Sequence, residues 1–323
     1  MDPAGRAVAG GPGDRGPVVL DGGLATELMA RGHDLSDRLW SARLLATDPD
    51  AIEAVHLAYF RAGAQVAITA SYQASIEGFA AAGIARVEAL DLIGQSVRLA
   101  QAARATLDDE GGPYAGRRLI AGSVGPYGAM LADGSEYRGD YDTDPGRLAA
   151  FHRPRMDALA EAGADLLAFE TIPTVREAEV LVRLLDELDI DAWLSYSCRD
   201  GETTSAGEPI ADAVALGEHR RIVAIGINCT APRFMPALLA RAGAATTRPL
   251  IAYPNGGDRW DAAARRWVAN AGGAYDPATV ATWTGLGAGW LGGCCGTGPR
   301  EIAALTGALA ARRGTFEPDG PVL

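Results

Sequence analysis

Eight short apolar runs recur along the chain, at 18–20, 66–69, 119–122, 166–169, 192–196, 222–225, 250–253 and 290–293. Between them lie longer segments, among them 50–62, 87–105, 145–162, 175–187 and 299–311, whose apolar residues return at helical spacing. A strand that is apolar along its whole length is buried on both faces, which is the condition of a parallel sheet covered by helices. Eight such strand–helix units are the number that closes a parallel sheet on itself. The pattern therefore predicts a single (β/α)8 TIM barrel over 17–314, whose chemistry sits at the carboxyl ends of the strands. An open doubly wound sheet is the competing arrangement, but no Gly-x-Gly-x-x-Gly turn follows the first run. Residues 1–16, dense in Gly, Pro and charge, read as a disordered tail, and 315–323 as a short C-terminal one.

Charge narrows the partners. The 323 residues carry a formal net charge of −12, and both nucleic acid and anionic membrane surfaces attract basic proteins, so neither is expected as a partner. No apolar run approaches the roughly 20 residues that span a bilayer, and the N-terminal stretch lacks the apolar centre of a secretory signal. Small-molecule substrates in a reducing, cytoplasmic setting are the expectation.

A barrel would gather the residues that follow each run. They are Asp21-Gly22-Gly23 after the first, 69–73 after the second, 123–127 after the third and Glu170-Thr171 after the fourth. Asn228-Cys229 follows the sixth, 253–257 the seventh and Cys294-Cys295 the eighth. Three of the four cysteines thus reach one end of the barrel from strands separated by a single neighbour. Three thiolates suit a soft metal such as zinc and leave a fourth position open, as catalytic rather than structural sites do. The plain alternatives are small buried hydrophobes or a vicinal disulfide, and the wide spacing matches no compact zinc finger. Cys198, after the fifth run, receives no role. His33, His56, His152 and His219 fall in helices or loops away from the strand ends, so none is expected to bind metal or move protons.

Taken together, 20–28, 68–75, 121–141, 226–229 and 292–295 resemble the homocysteine S-methyltransferase family, most closely the bacterial and plant members that use S-methylmethionine. The resemblance implies one Zn²⁺ per chain on Cys229, Cys294 and Cys295, with the homocysteine sulfur as fourth ligand and a methyl group arriving from S-methylmethionine or S-adenosylmethionine. It also implies that Asp21, Gly22, Gly23, Thr26, Glu170 and Asn228 hold homocysteine, carboxylates toward its ammonium and backbone amides toward its carboxylate. Each carboxylate has an ordinary alternative as a barrel-end ion pair or helix cap. A sulfonium suits aromatic faces and acidic groups, which singles out Trp40, Tyr72, Gln73, Tyr127 and the long loop 133–141. Within the family, betaine- and selenocysteine-type methyltransferases are the alternatives. A zinc hydrolase would ask for His or carboxylate ligands at strand ends, and a thiol sensor or metal store would bind metal without methyl transfer.

Overall fold

The structure is a computed structural model that describes residues 16–35, 39–111, 117–257, 259–261, 266–268 and 275–314. The barrel strands are β1 (Val18–Val19), β2 (Val66–Ile68), β3 (Leu119–Val124), β4 (Leu166–Ile172), β5 (Ala192–Tyr196), β6 (Ile222–Asn228), β7 (Leu250–Tyr253) and β8 (Ala288–Leu291). Every neighbouring pair is parallel, in the order β1-β8-β7-β6-β5-β4-β3-β2. The two ends of that order meet through a parallel bridge between Leu20 and Val66. Gln65 N–H donates to Val19 O at 2.7 Å and Asp21 N–H to Val66 O at 3.1 Å. The expected barrel is therefore present with all eight strands where the apolar runs lie. Apart from Gly16, both tails fall outside the described residues.

Helices Pro49–Arg61, Arg86–Glu110, Pro145–Glu161, Val175–Leu185 and Pro299–Gly314 occupy the segments read as helical. Their starts are set by local chemistry. Asp48 accepts from Ala51 N–H at 3.4 Å and Asp144 from Arg147 N–H at 2.9 Å, each followed by a proline at the first helical position. A two-stranded antiparallel pair, Arg259–Asp261 with Arg266–Val268, lies between β7 and β8 and has no counterpart in the sequence reading. Among the described residues no helix is long and apolar enough to cross a membrane.

The barrel interior is a separate packed cluster in which large rings face small side chains. Trp193 on β5, Tyr253 on β7 and Trp290 on β8 share it with Ala121, Ala168 and Ala224. The Trp193 ring lies 6.1 Å from Trp290 and 6.2 Å from Tyr253, and its Nε1–H donates to Tyr253 Oη at 3.0 Å. Filling the centre this way makes the floor of the catalytic end rigid, because close-packed rings cannot shift without opening voids. Trp193→Ala is expected to cost about 3–5 kcal/mol, read from the shift in urea midpoint. A loss below about 1 kcal/mol would mean the interior collapses around the gap.

Candidate metal centre and its cavity

Three backbone hydrogen bonds bring the cysteines together at the end of β7. Cys229 N–H donates to Tyr253 O at 3.1 Å, Cys294 N–H to Pro254 O at 2.8 Å, and Gly256 N–H to Cys295 O at 2.7 Å. The loop after β8 is also tied to β1. Gly293 N–H donates to Asp21 O at 2.9 Å, Gly23 N–H to Thr297 O at 2.9 Å, and Gly296 N–H to Thr26 Oγ1 at 2.9 Å. Tyr59 Oη bonds Gly23 O and Thr297 O, each at 2.9 Å, and Tyr275 Oη donates to Gly292 O at 2.8 Å. Gly293 has to be glycine here, since a Cβ would lie 2.1 Å from Thr297 Cγ2. Cys229 itself sits at φ +45°, a left-handed conformation that a non-glycine residue adopts only when its surroundings impose it.

The outcome is a cluster in which the sulfurs of Cys229, Cys294 and Cys295 all lie within 4.8 Å of one another, with Cys229 and Cys295 at 3.7 Å. Tetrahedral zinc with Zn–S bonds of about 2.3 Å requires sulfurs about 3.8 Å apart, so the donor set fits that ion by both chemistry and spacing. All four cysteines are free thiols. Hydrogen bonds from Cys229 and then Cys294 hold Cys295 well below the usual thiol range, whereas hydrogen bonding to Cys229 and Cys295, with burial, pushes Cys294 up. The cluster thus favours the thiolate form at Cys295 over that at Cys294.

The sulfurs line a cavity of about 380 Å³ whose wall includes Gly22, Gly23, Thr26, Tyr72, Gln73, Glu136, Tyr137 and Glu170. No Arg, Lys or His is among its described lining residues. Glu170 lies inside β4 rather than after it, because β4 runs on to Ile172. Its carboxylate accepts from Ser123 Oγ, and burial pushes its pKa up to about 7. The next residue, Thr171, sits at φ +60°. It is held there by Asn228, whose Oδ1 accepts from Thr171 N–H at 2.7 Å and whose Nδ2–H donates to Thr171 Oγ1 at 2.8 Å. Asn228 is fully buried and reaches the cavity only through Thr171.

The other expected residues divide. Tyr72 and Gln73 line the cavity, the latter donating from Nε2 to Ala129 O at 3.2 Å. Asp21 lies beneath the floor, with Oδ2 accepting from Ile68 N–H at 2.8 Å and Oδ1 without a partner among the described residues; burial holds its carboxyl well above the usual range. Tyr127 is outside the wall, packed on Tyr141 and Phe151. Trp40 opens a short 3₁₀ turn, and its side chain lies outside the described residues.

Sequence reasoning pointed to the loop after β3 without finding what holds it. Glu177, fully buried in the first turn of helix Val175–Leu185, accepts from Tyr127 N–H at 2.7 Å and from the Tyr141 hydroxyl, and lies 2.7 Å from His152 Nε2. One carboxylate therefore clamps both ends of the loop. Its middle brings Tyr137 Oη to 3.3 Å from Cys229 Sγ and Glu136 into the cavity wall. His152, given no metal or proton-transfer role from sequence, belongs to this buried clamp.

The homocysteine S-methyltransferase family profile matches residues 18–309. Homocysteine S-methyltransferase of Escherichia coli (strain K12) is 50% identical over 291 residues, covering 89% of this chain and 94% of the relative. Selenocysteine Se-methyltransferase of Brassica oleracea var. italica is 43% identical, covering 93% and 91%. The metallated crystal structure of the Escherichia coli homocysteine methyltransferase MmuM superposes with a TM-score of 0.83 at 47% identity, over 91% of this chain and 96% of that one. The clamp generates a direct test. Tyr141→Phe should speed hydrogen exchange of the 128–140 amides by about tenfold or more while strand amides stay protected. Unchanged exchange would show that the loop is held by something else.

Proposed function

The chain belongs to the homocysteine S-methyltransferase family and is an enzyme of that activity, and from that premise we propose that it methylates homocysteine from a sulfonium donor at a zinc ion held by Cys229, Cys294 and Cys295. The observation that carries the zinc assignment is the convergence of three thiol sulfurs within 4.8 Å in the wall of an otherwise acidic cavity. Zinc at that position supplies Lewis acidity that keeps the acceptor's sulfur deprotonated and nucleophilic at neutral pH.

The protein's own groups do the rest by placement. Glu170 meets the homocysteine ammonium, and Asp21, whose Oδ1 has no partner among the described residues, offers a second carboxylate oxygen that ionises as the ammonium arrives. Gly22, Gly23 and Thr26 form the wall on the acceptor's carboxylate side, and Asn228 acts indirectly by fixing Thr171 beside Glu170. Tyr72 and Gln73 face the donor. In the transfer, the donor's S–CH₃ bond breaks with its electron pair retained on sulfur, leaving a neutral thioether. The acceptor sulfur forms the new S–CH₃ bond, and the thiol proton goes to solvent. A neutral leaving group needs no general acid, which fits a cavity wall with no histidine among its described residues.

S-Methylmethionine is the donor this reading favours, giving methionine from both partners, with one zinc per chain and a cytoplasmic location. A selenol acceptor is the second reading, favoured by the Brassica relative's selenocysteine activity. The discriminating assay runs homocysteine and selenocysteine as acceptors against S-methylmethionine, S-adenosylmethionine and betaine.

Two outcomes are expected. Cys295→Ala should lose zinc and reduce turnover by at least about a thousandfold while the barrel stays folded, checked by metal analysis, circular dichroism and methionine formation. Full activity without bound zinc would remove the metal from the account. The second concerns pH. Glu170 is protonated below about pH 7 in the free enzyme, and only its ionised form pairs with an ammonium, so KM for homocysteine should fall as pH rises through about 7. Glu170→Gln should raise KM and flatten that limb, and an unaltered limb in the variant would assign it to another group.

A further inference from the structure

Glu136 is a carboxylate that the acceptor does not need. It lines the cavity from the clamped loop, beside Tyr137, and its Oε2 is buried without a hydrogen-bond partner among the described residues. The basic residue nearest to it in sequence, Arg138, is committed elsewhere, donating to Asp140 Oδ2 at 2.9 Å and to Asp133 O at 3.1 Å. With no Arg, Lys or His among the described cavity-lining residues, nothing in the wall neutralises it. The loop that carries it is not free to swing away. Both ends are fixed by Glu177, and Ser197 Oγ donates to the Glu136 carbonyl at 3.3 Å. Arg138 attracts Glu136 only through space while its hydrogen bonds go to Asp140 and Asp133, so a partly buried carboxylate held in place without a bonded counter-charge is costly until a cationic ligand supplies one.

The order of the substrates decides which of them meets it. The acceptor's sulfur has to lie against the cysteines, with its ammonium toward Glu170 on β4. The acceptor sulfur's face toward the cysteines is taken up by the cluster, so its attacking lone pair, and with it the in-line donor, lies on a side turned away from the cluster, toward solvent. That is the side of the loop, where Tyr137 is 44% exposed. We propose that Glu136 is the specificity-determining residue for the methyl donor, its carboxylate pairing with a positively charged group of that donor. This rests on the sulfonium-donor reading. A sulfonium donor that is also an amino acid offers two such groups, the sulfonium and the ammonium. The sulfonium charge disappears during transfer and the ammonium charge persists. A fixed carboxylate beside either one binds the ground state at least as well as the transition state, so its removal should appear in KM rather than kcat.

The test is Glu136→Gln in the zinc-loaded full chain, with Glu136→Asp as the conservative variant. KM for S-methylmethionine should rise about 10- to 100-fold, the loss expected when a charged hydrogen bond is removed, with kcat within about twofold. Homocysteine KM, zinc content and thermal midpoint should be unchanged, and Glu136→Asp should recover part of the affinity. Calorimetric titration with S-methylmethionine and with 3-(dimethylsulfonio)propionate, which has no ammonium, identifies the partner. Equal weakening of both ligands places the carboxylate against the sulfonium, and weakening of S-methylmethionine alone places it against the ammonium. A KM for S-methylmethionine unchanged in the variant, or a homocysteine KM that rises by the same factor, overturns the assignment. If the wild-type chain neither binds nor uses any sulfonium, the donor reading itself fails and takes the Glu136 assignment with it.

Discussion

The end of β7 supports everything that the catalytic end does. Its carbonyls at Tyr253 and Pro254 receive the amides of Cys229 and Cys294, one from each flanking strand, and the amide of Gly256 returns a bond to Cys295. Those contacts require β6, β7 and β8 to be adjacent and parallel, which a closed barrel enforces and which no local segment of this chain would provide. Tyr253 extends the same support downward. Its hydroxyl accepts from Trp193 at 3.0 Å and lies 2.6 Å from Ser195 Oγ, so the interior packing is hydrogen-bonded to the floor of the cavity.

On that support the chain assembles negative charge from several directions. Three thiols, Glu170 on β4, Asp21 beneath the floor and Glu136 on the β3 loop converge without a basic side chain among the described lining residues. Left alone, such a set is unfavourable: burial raises the pKa of both Glu170 and Asp21, and the neighbouring negative groups, Cys295 for Glu170 and Glu170 for Asp21, add to it. A divalent cation and two substrates carrying ammonium and sulfonium groups would relieve that repulsion. Binding affinity and charge neutralisation are then one effect, and the cavity selects cations before it recognises shape.

The barrel was readable because parallel strands buried on both faces leave near-continuous apolar runs, and all eight occur where those runs lie. Strand ends were less legible. Polar residues interrupt the apolar run in β4, so Glu170 and Thr171 read as loop although their backbone is strand to Ile172. The positive φ of Thr171 and Cys229 has no signal in residue type, since neither is glycine. The cysteines stood out because they follow apolar runs in glycine-rich contexts. Tyr59, which bonds Thr297 across 238 positions, and Glu177, which gathers Tyr127, Tyr141 and His152, gave no such cue. Those bonds exist only once the barrel has brought distant helices and loops together, and helical spacing alone describes Tyr59 and Glu177 as unremarkable core-facing positions.

The central claim is that three cysteines hold a metal and leave one position for the acceptor's sulfur. X-ray absorption of the zinc-loaded chain, recorded with and without selenohomocysteine, tests it most directly. The account expects sulfur scatterers at about 2.3 Å in both samples and a new zinc–selenium distance only when the acceptor is present. Zinc with an unchanged sulfur shell and no selenium neighbour would contradict it, leaving the cysteine cluster as a structural site and the acceptor elsewhere in the cavity.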